Sequence, residues 1–493
     1  MTVRTRLAAA AALAAMAVTA ASCSTKLSTQ APPSTTVAPT TTVVGAATPA
    51  QTKAADYRAQ VTYLMLEQVF LLSRVTGGVV AAGSAAPLSA TTGAATASAA
   101  TTTTTAASTS ATTTTSAPPA TSATTTTSVP TSASPTTTTA GPAAASAPTT
   151  TTTPAPTGPV AVLSAPNGQD AAAALDHNSN DLTDLLARPQ GYGPAFASRF
   201  YPLWTTRNND FIRYAAAKAT KNAAGASSAS AALTANALAL ANLFHSHNKY
   251  LAVSTVSNPG TGVADQLTVD NTAEIAFINS QAAKVATAIN DVVAAAEKMR
   301  HTSDTLSSAA AKLDPAQYPG TALGTASNLR AAVTAALVEH AELAGSTTAL
   351  LATRQDAGAE AAALDANTSS LANVVIVNFF DQATRVFTAI WGNYVNLLKS
   401  YARAKASSGP TPDLSGVGEQ VGAFFGHQAP TINPSLIASD MQQVVNGLVA
   451  VVDAQAALAP WATSQRVATG FTPKLASDLS EGIAESNPTK YAP

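Results

Sequence analysis

The chain has 493 residues, of which only 11% are charged, and its formal net charge is -1. It therefore has no strongly basic field that would attract nucleic acid or anionic lipid. The single cysteine, Cys23, excludes an intramolecular disulfide and any zinc site built from several cysteines. The length alone allows two or three domains.

The N-terminus has the pattern of a secretory signal peptide over residues 1–22. A start with two arginines and a short apolar stretch are followed by Ala20-Ala21-Ser22 and then Cys23. This pattern resembles the lipobox of bacterial lipoproteins, with Ala20 where leucine is commonest. The resemblance implies cleavage before Cys23, a lipid on its thiol, and an anchor on the extracytoplasmic face of the cell membrane. The alternative is an ordinary signal peptide followed by an incidental cysteine.

Two stretches are rich in Thr, Ala, Ser and Pro and contain almost no large apolar residues. They cover residues 23–54, which begin with the predicted lipid site at Cys23, and residues 83–166. Such stretches cannot bury enough apolar surface to offset the loss of chain entropy, so both are predicted to be disordered. The first is predicted to be a tether. The second has the composition of an O-glycosylated stalk or of an unmodified spacer.

Two parts of the chain repeat each other. AALDHNSNDL from Ala173 matches AALDANTSSL from Ala362, and each is followed by an aromatic cluster that ends at Trp204 or Trp391. Apolar residues recur at helical spacing in both copies, and signals for strands are nearly absent. The sequence therefore predicts an all-α protein whose two tandem helical bundles arose by internal duplication.

The predicted bundles cover residues 55–320 and 321–493. A last helix is predicted to close each bundle, at about 468–484 in the second. A helix predicted at 57–82 begins with RAQVT, which matches RAAVT at the start of the second bundle. A short link joins that helix to the following one in the second bundle, whereas the Thr-rich stretch 83–166 fills the same link in the first. The stretch is therefore predicted to be an insertion inside the first bundle. Because loop closure depends on the logarithm of length, about 80 extra residues cost only roughly 2 kcal/mol.

The apolar span at 61–80 within that first helix approaches the length of a membrane-spanning segment. Glu67, Arg74 and the Gly77-Gly78 pair argue against a lipid environment. A buried bundle helix is therefore predicted, with a transmembrane helix as the alternative.

Several polar residues lie within the apolar helical patterns, and most of them recur in both copies. They are Glu67, Asp176, Asn178, Glu339, His340, Asp365 and Asn367. Polar groups in such surroundings cost free energy unless they are paired. We predict a buried hydrogen-bond network, or helix capping, that fixes the register of the helices. The alternative is a small polar pocket in each bundle that binds a ligand.

Signals for catalysis and for metal binding are absent from the sequence. There is no G-x-S-x-G, H-E-x-x-H, P-loop or dinucleotide-binding fingerprint, and the one cysteine is assigned to the lipid. The six histidines lack the Glu-x-x-His spacing of di-iron bundles. The sequence therefore predicts no catalytic residue, no metal site and no cofactor.

The repeated motifs resemble a family of secreted, doubled helical proteins of Gram-positive bacteria that are often labelled copper amine oxidase-like. The matching segments are 337–340, 363–367, 200–204 and 488–491. The resemblance implies a helical fold from about residue 57 to the C-terminus. It does not imply the activity in the label, because a true copper amine oxidase is mainly β. That enzyme also makes its quinone from a tyrosine in a T-x-x-N-Y-[DE] motif, which Asn393-Tyr394 lacks here.

Together these features predict an exported, lipid-anchored envelope lipoprotein that acts as a non-enzymatic binding or structural module. A metal- or small-ligand-binding bundle is the second hypothesis, and an enzyme is the third. The membrane is the expected partner through the lipid, nucleic acid is not, and an envelope protein, a glycan or a small molecule stays open. A ligand-binding role predicts a cavity that faces Asp176 and Asn178 or Asp365 and Asn367, whereas a structural role predicts that these groups are fully paired with protein.

Overall fold

The computed structural model describes residues 49–85, 166–189, 192–253, 262–376 and 381–491. These residues are mostly α-helical and include no strand, which confirms the predicted all-α class. The predicted signal peptide, Cys23 and most of both Thr-rich stretches lie outside the described residues.

The helices follow one another in two series. A short 3₁₀ helix at Pro49–Gln51 precedes the first series, which consists of α1 (Lys53–Ala85), α2 (Pro166–Leu186), α3 (Gly193–Ala219), α4 (Ala223–His247), α5 (Val263–Ala282) and α6 (Ala288–Leu313). The second series consists of α7 (Thr325–Ala352), α8 (Gly358–Ile376), α9 (Asp381–Ser407), α10 (Val417–Gln428), α11 (Pro434–Ala456), α12 (Ala462–Gly470) and α13 (Thr472–Ser486). Below, the first series is the N-terminal half and the second is the C-terminal half.

Part of the stretch that is predicted to be a disordered tether is helical. The sequence predicts a disordered tether up to Ala54, but the chain is already ordered at Pro49 and Ala50 is fully buried. Arg330 of α7 donates from Nη1 to the Ala50 carbonyl at 2.8 Å. A partner far along the chain therefore orders this segment, and composition gives no sign of it.

The central helices are α1 and α7, which pack against each other. α1 also contacts α2, α3, α5 and α6, while α7 contacts α8, α9, α11 and α13. Each supplies an arginine to the segment that precedes the other helix. Arg58 Nη1 of α1 donates to the Ala322 carbonyl at 2.9 Å, and Arg330 of α7 makes the contact with Ala50. Because α1 is surrounded by other helices, apolar residues are favoured on all of its sides.

Two helices among the described residues, α1 and α11, are long and apolar enough to cross a membrane by length and composition. Within the fold, 72% of the apolar window of α1 and 44% of that of α11 is buried. Core helices pass the same test, so it is weak support for a membrane span. The burial of α1 agrees with the predicted bundle helix.

The C-terminal end differs from the prediction at one point. The sequence predicts a single closing helix over 468–484, but the chain forms α12 and α13 with Phe471 between them. Pro473 lies in the first turn of α13. Proline has no amide hydrogen to donate to the preceding turn, so one continuous helix is disfavoured there.

Candidate functional site

Asn178 of α2 is fully buried and joins its helix to α1. Its Nδ2 donates to the Leu64 carbonyl at 2.9 Å and to Glu67 Oε2 at 2.8 Å. Glu67, also fully buried, accepts from the Tyr63 hydroxyl at 3.0 Å and from Arg466 Nε at 3.2 Å. Burial raises the pKa of Glu67 to about 7, and the opposing effect of Arg466 is smaller.

Asn367 of α8 makes the corresponding contacts with α7. Its Nδ2 donates to the Ala336 carbonyl at 3.1 Å and to Glu339 Oε1 at 3.0 Å. As in the N-terminal half, the carbonyl belongs to the residue three positions before the glutamate. Burial also raises the pKa of Glu339. The two halves therefore share these contacts and this spacing, and the internal duplication stays a prediction.

The two tryptophans of the repeat also donate hydrogen bonds to the central helices. Trp204 Nε1 donates to Gln68 Oε1 at 2.6 Å, and Trp391 Nε1 donates to His340 Nδ1 at 3.3 Å. Gln68 is satisfied at its other end, where Nε2 donates to Asn208 Oδ1 at 2.7 Å. The two hydrogen-bond networks thus have the same arrangement, except that the residue after the glutamate is Gln68 in α1 and His340 in α7.

His340 and Tyr394 carry polar atoms without a partner. His340 Nδ1 faces both Trp391 Nε1 and Asn367 Oδ1, and the other ring nitrogen is Nε2. That nitrogen and the Tyr394 hydroxyl are both buried without a hydrogen-bond partner among the described residues. The two rings lie 5.6 Å apart, and burial lowers the pKa of His340 to about 4 and raises that of Tyr394. Asn367 Oδ1 lies 3.2 Å from His340 Nδ1, so it is a further polar neighbour.

Asp176 and Asp365 lie outside this buried network, although the sequence predicts them within it. Asp176 is partly exposed and accepts from the Tyr201 hydroxyl at 2.6 Å. The side chain of Asp365 is 61% exposed and pairs with Lys399 Nζ at 3.2 Å. Residues two apart on a helix point to different sides, so burying the asparagine turns the aspartate away.

Sequence reasoning missed a fully buried ion pair between Arg207 of α3 and Glu274 of α5. Arg207 Nε also donates to Asn271 Oδ1 at 2.9 Å, and its guanidinium lies 4.9 Å from the ring centres of Trp204 and Phe211. Burial raises the pKa of Glu274 to about 7, against the effect of Arg207. The only signal was a lone arginine one helical turn after the tryptophan.

A second missed group joins the two halves. Arg74 of α1 pairs with the buried Glu342 of α7, and its guanidinium lies 4.8 Å from the ring centre of Trp461. Glu342 also accepts from the Thr469 hydroxyl at 3.0 Å. Arg466 of α12 pairs with Glu67. Each half therefore buries a carboxylate that an arginine of the other half neutralises.

Three surface clefts have volumes of about 580, 480 and 210 Å³. The first lies between the ends of α1 and α7 and the turn before α6, the second beside α3 and α4, and the third beside the start of α1. None of the three is lined by the candidate residues. In the described part of the chain, no group of three or more His, Cys, Asp or Glu side chains is placed to hold a metal ion.

Comparisons with protein-family models, curated proteins and solved structures give no match. The resemblance to the copper amine oxidase-like proteins and the lipobox therefore stay predictions. Apart from Asp176 and Asp365, the candidate residues form their contacts inside the helical bundle, and these contacts join its helices.

Proposed function

We propose that the chain is an exported lipoprotein, anchored to the cell membrane through Cys23, whose helical body is a non-enzymatic binding or structural module of the envelope. One observation supports the non-enzymatic part: Asn178 and Asn367 use their amide hydrogens on protein acceptors. Catalysis would need a base within reach of a bound substrate. The carboxylate of Glu67 is instead buried and occupied by Tyr63, Asn178 and Arg466.

The anchor is supported by the position of the one cysteine directly after the predicted signal peptide. Between Cys23 and the first described residue, at 49, lie the 25 residues 24–48. Fully extended, they would reach at most about 80 Å. This length would let the helical body act at a distance from the membrane surface.

Replacing the cysteine tests the anchor. In the Cys23→Ala variant, the protein is expected in the medium or as an unprocessed precursor, because no thiol remains for the lipid. Fractionation and immunoblotting of cells would measure this, with Ser24→Ala as the matched control that keeps the membrane location. A Cys23→Ala protein that stays in the membrane fraction with the processed length of the wild type would contradict the proposal.

A small-ligand-binding bundle is the second candidate, and one observation favours it. The unpartnered His340 Nε2 and Tyr394 hydroxyl could together hydrogen-bond a small polar molecule. Metal analysis and native mass spectrometry of the purified protein distinguish the candidates. The leading proposal predicts the mass of the chain and its lipid alone. One copper or iron ion, or one small molecule, per chain, lost in Glu339→Gln or His340→Gln, would instead support the second.

A further inference from the structure

The helix α12 has nine residues and no equivalent in the N-terminal half. There, the residues 283–287 between α5 and α6 form only turns. In the C-terminal half, the chain between α11 and α13 instead forms this extra helix, which packs against α1, α2, α7, α11 and α13. It therefore lies where helices of both halves meet.

Polar side chains join α12 to the N-terminal half. Arg466 Nε lies 3.2 Å from Glu67 Oε2 of α1, and its Nη2 pairs with the exposed Asp181 of α2. At the start of the helix, the Thr463 amide donates to Asp170 Oδ2 at 3.2 Å. One turn of helix thus carries contacts to two helices of the other half.

The same helix is attached to α7 of its own half. Gln465 Nε2 donates to the Ala341 carbonyl at 2.8 Å, and the Thr469 hydroxyl donates to Glu342 Oε1 at 3.0 Å. Glu342 is in turn paired with Arg74 of α1. Lifting α12 would remove one partner from each of the two buried carboxylates, Arg466 from Glu67 and Thr469 from Glu342.

We propose that α12 is a clasp between the two halves, and that it opens more readily as pH rises because closing it buries the Glu67 carboxylate. The inference rests on the contact between Arg466 of α12 and the buried Glu67, and it does not depend on the proposed function.

The direction follows from linkage. With α12 closed, burial raises the pKa of Glu67 from 4.5 to about 7. With α12 lifted, the carboxylate faces water and its pKa returns toward the ordinary value. Proton binding therefore favours the closed form. This contribution is complete below about pH 4.5 and is lost as the pH rises to about 7.

Groups from four helices act on Glu67. They are Tyr63 from α1, Asn178 from α2, Glu342 from α7 and Arg466 from α12. Two further charged groups pair with these neighbours: Arg74 with Glu342, and Asp181 with Arg466. The negative charge of Glu342 adds to the effect of burial on the pKa of Glu67, while Arg466 and Asn178 oppose it. Burial also raises the pKa of Glu342, so that carboxyl acts in the same direction.

Hydrogen exchange of the full chain between pH 5 and pH 8 tests the clasp, after correction for the intrinsic effect of pH on amide exchange. Protection of the α12 amides is expected to fall by at least about tenfold over this range, more than that of the α4 amides. In Glu67→Gln, which stays neutral, this fall is expected to shrink to the part that Glu342 contributes. Asp181→Asn is the matched control, because it removes the exposed partner of Arg466 and leaves the buried acid in place.

Three outcomes would overturn the proposal. The first is equal α12 protection at pH 5 and pH 8 in the wild type. The second is an unchanged pH dependence in Glu67→Gln. The third is loss of the pH dependence in Asp181→Asn, which would assign it to the exposed ion pair. If Glu67→Gln does not fold, the wild type and Asp181→Asn still decide the question.

Discussion

At the residue scale, Asn178 and Asn367 place one amide nitrogen between a backbone carbonyl and a glutamate of the neighbouring helix. These contacts join α2 to α1 and α8 to α7. A buried acceptor that loses its donor costs about 1–3 kcal/mol. The two asparagines therefore stabilise the register of each helix pair, and their effect is measurable one residue at a time.

Asn178→Ala is expected to lower the free energy of unfolding by about 1–3 kcal/mol, because Glu67 and the Leu64 carbonyl lose a donor. Urea denaturation measures the change. Asp365→Ala is the control: its side chain is 61% exposed, so a change within about 0.5 kcal/mol is expected. The sequence predicts Asp176 and Asp365 within the buried network, where removing either side chain would cost as much as removing the asparagine. An equal loss in both variants would contradict this assignment of burial.

His340 is expected to make the protein sensitive to acid. Its pKa is about 4 in the fold and 6.5 ordinarily, so its contribution to stability is present above pH 6.5 and lost as the pH falls toward 4. His340→Gln introduces the residue found at the matching position 68 and is expected to remove up to about 3 kcal/mol of that loss. Thermal unfolding at pH 4 and pH 7 measures it, with the exposed His301→Gln as the control. Equal acid sensitivity in wild type and His340→Gln would contradict this role.

At the element scale, helical periodicity predicts where the helices lie in the chain but not which contacts join them to one another. The predicted helix at 57–82 corresponds to α1 at Lys53–Ala85, because its apolar spacing is regular. The break at Phe471 was missed, since periodicity continues on both sides of it. Partners distant in the chain, such as Arg207 with Glu274, leave no local pattern, so the buried ion pairs could not be predicted from the sequence.

The packing of α10 on α11 gives a prediction for one element. A Cβ added at Gly422 would clash with the Pro434 carbonyl and lie 2.9 Å from the Ala438 Cβ. Gly422→Ala is therefore expected to lower the free energy of unfolding by about 1–3 kcal/mol, because backbone cannot move aside cheaply.

Gly392 of α9 is the matched control for Gly422, because an added Cβ there meets no atom within 4 Å. Gly392→Ala is expected to stabilise the protein by about 0.5–1 kcal/mol through better helix propensity. Chemical denaturation of both variants measures the difference. A neutral or stabilising Gly422→Ala would show that the two helices are not in close contact.

At the scale of the whole molecule, the described residues cluster into one compact unit. The boundary predicted between residues 320 and 321 stays a prediction, and contacts between α1 and α7 join the two sides of it. The all-α class could be predicted from the helical spacing of apolar residues, while the tandem duplication stays a prediction. The ion pairs between the halves, Arg74 with Glu342 and Arg466 with Glu67, could not be predicted, because they depend on how the two halves pack.

Deleting residues 90–160 tests the predicted insertion. The deletion leaves a link of nine residues, 86–89 and 161–165, between α1 and α2, whereas the link between α7 and α8 has five, 353–357. A shorter loop costs less entropy to close, so helicity is expected to be retained and the thermal midpoint to be at least that of the wild type. Circular dichroism measures both. Loss of the cooperative transition would show that the deleted residues belong to the core.

The most direct test of the account is the chemical state of the mature N-terminus, since the proposed function requires an exported and anchored chain. Mass spectrometry of the native protein, isolated from the membrane fraction and digested, reports that state. We expect the first residue to be Cys23, with a mass increased by covalently attached acyl groups. A mature chain that begins elsewhere, or a Cys23 with a free thiol, would contradict it.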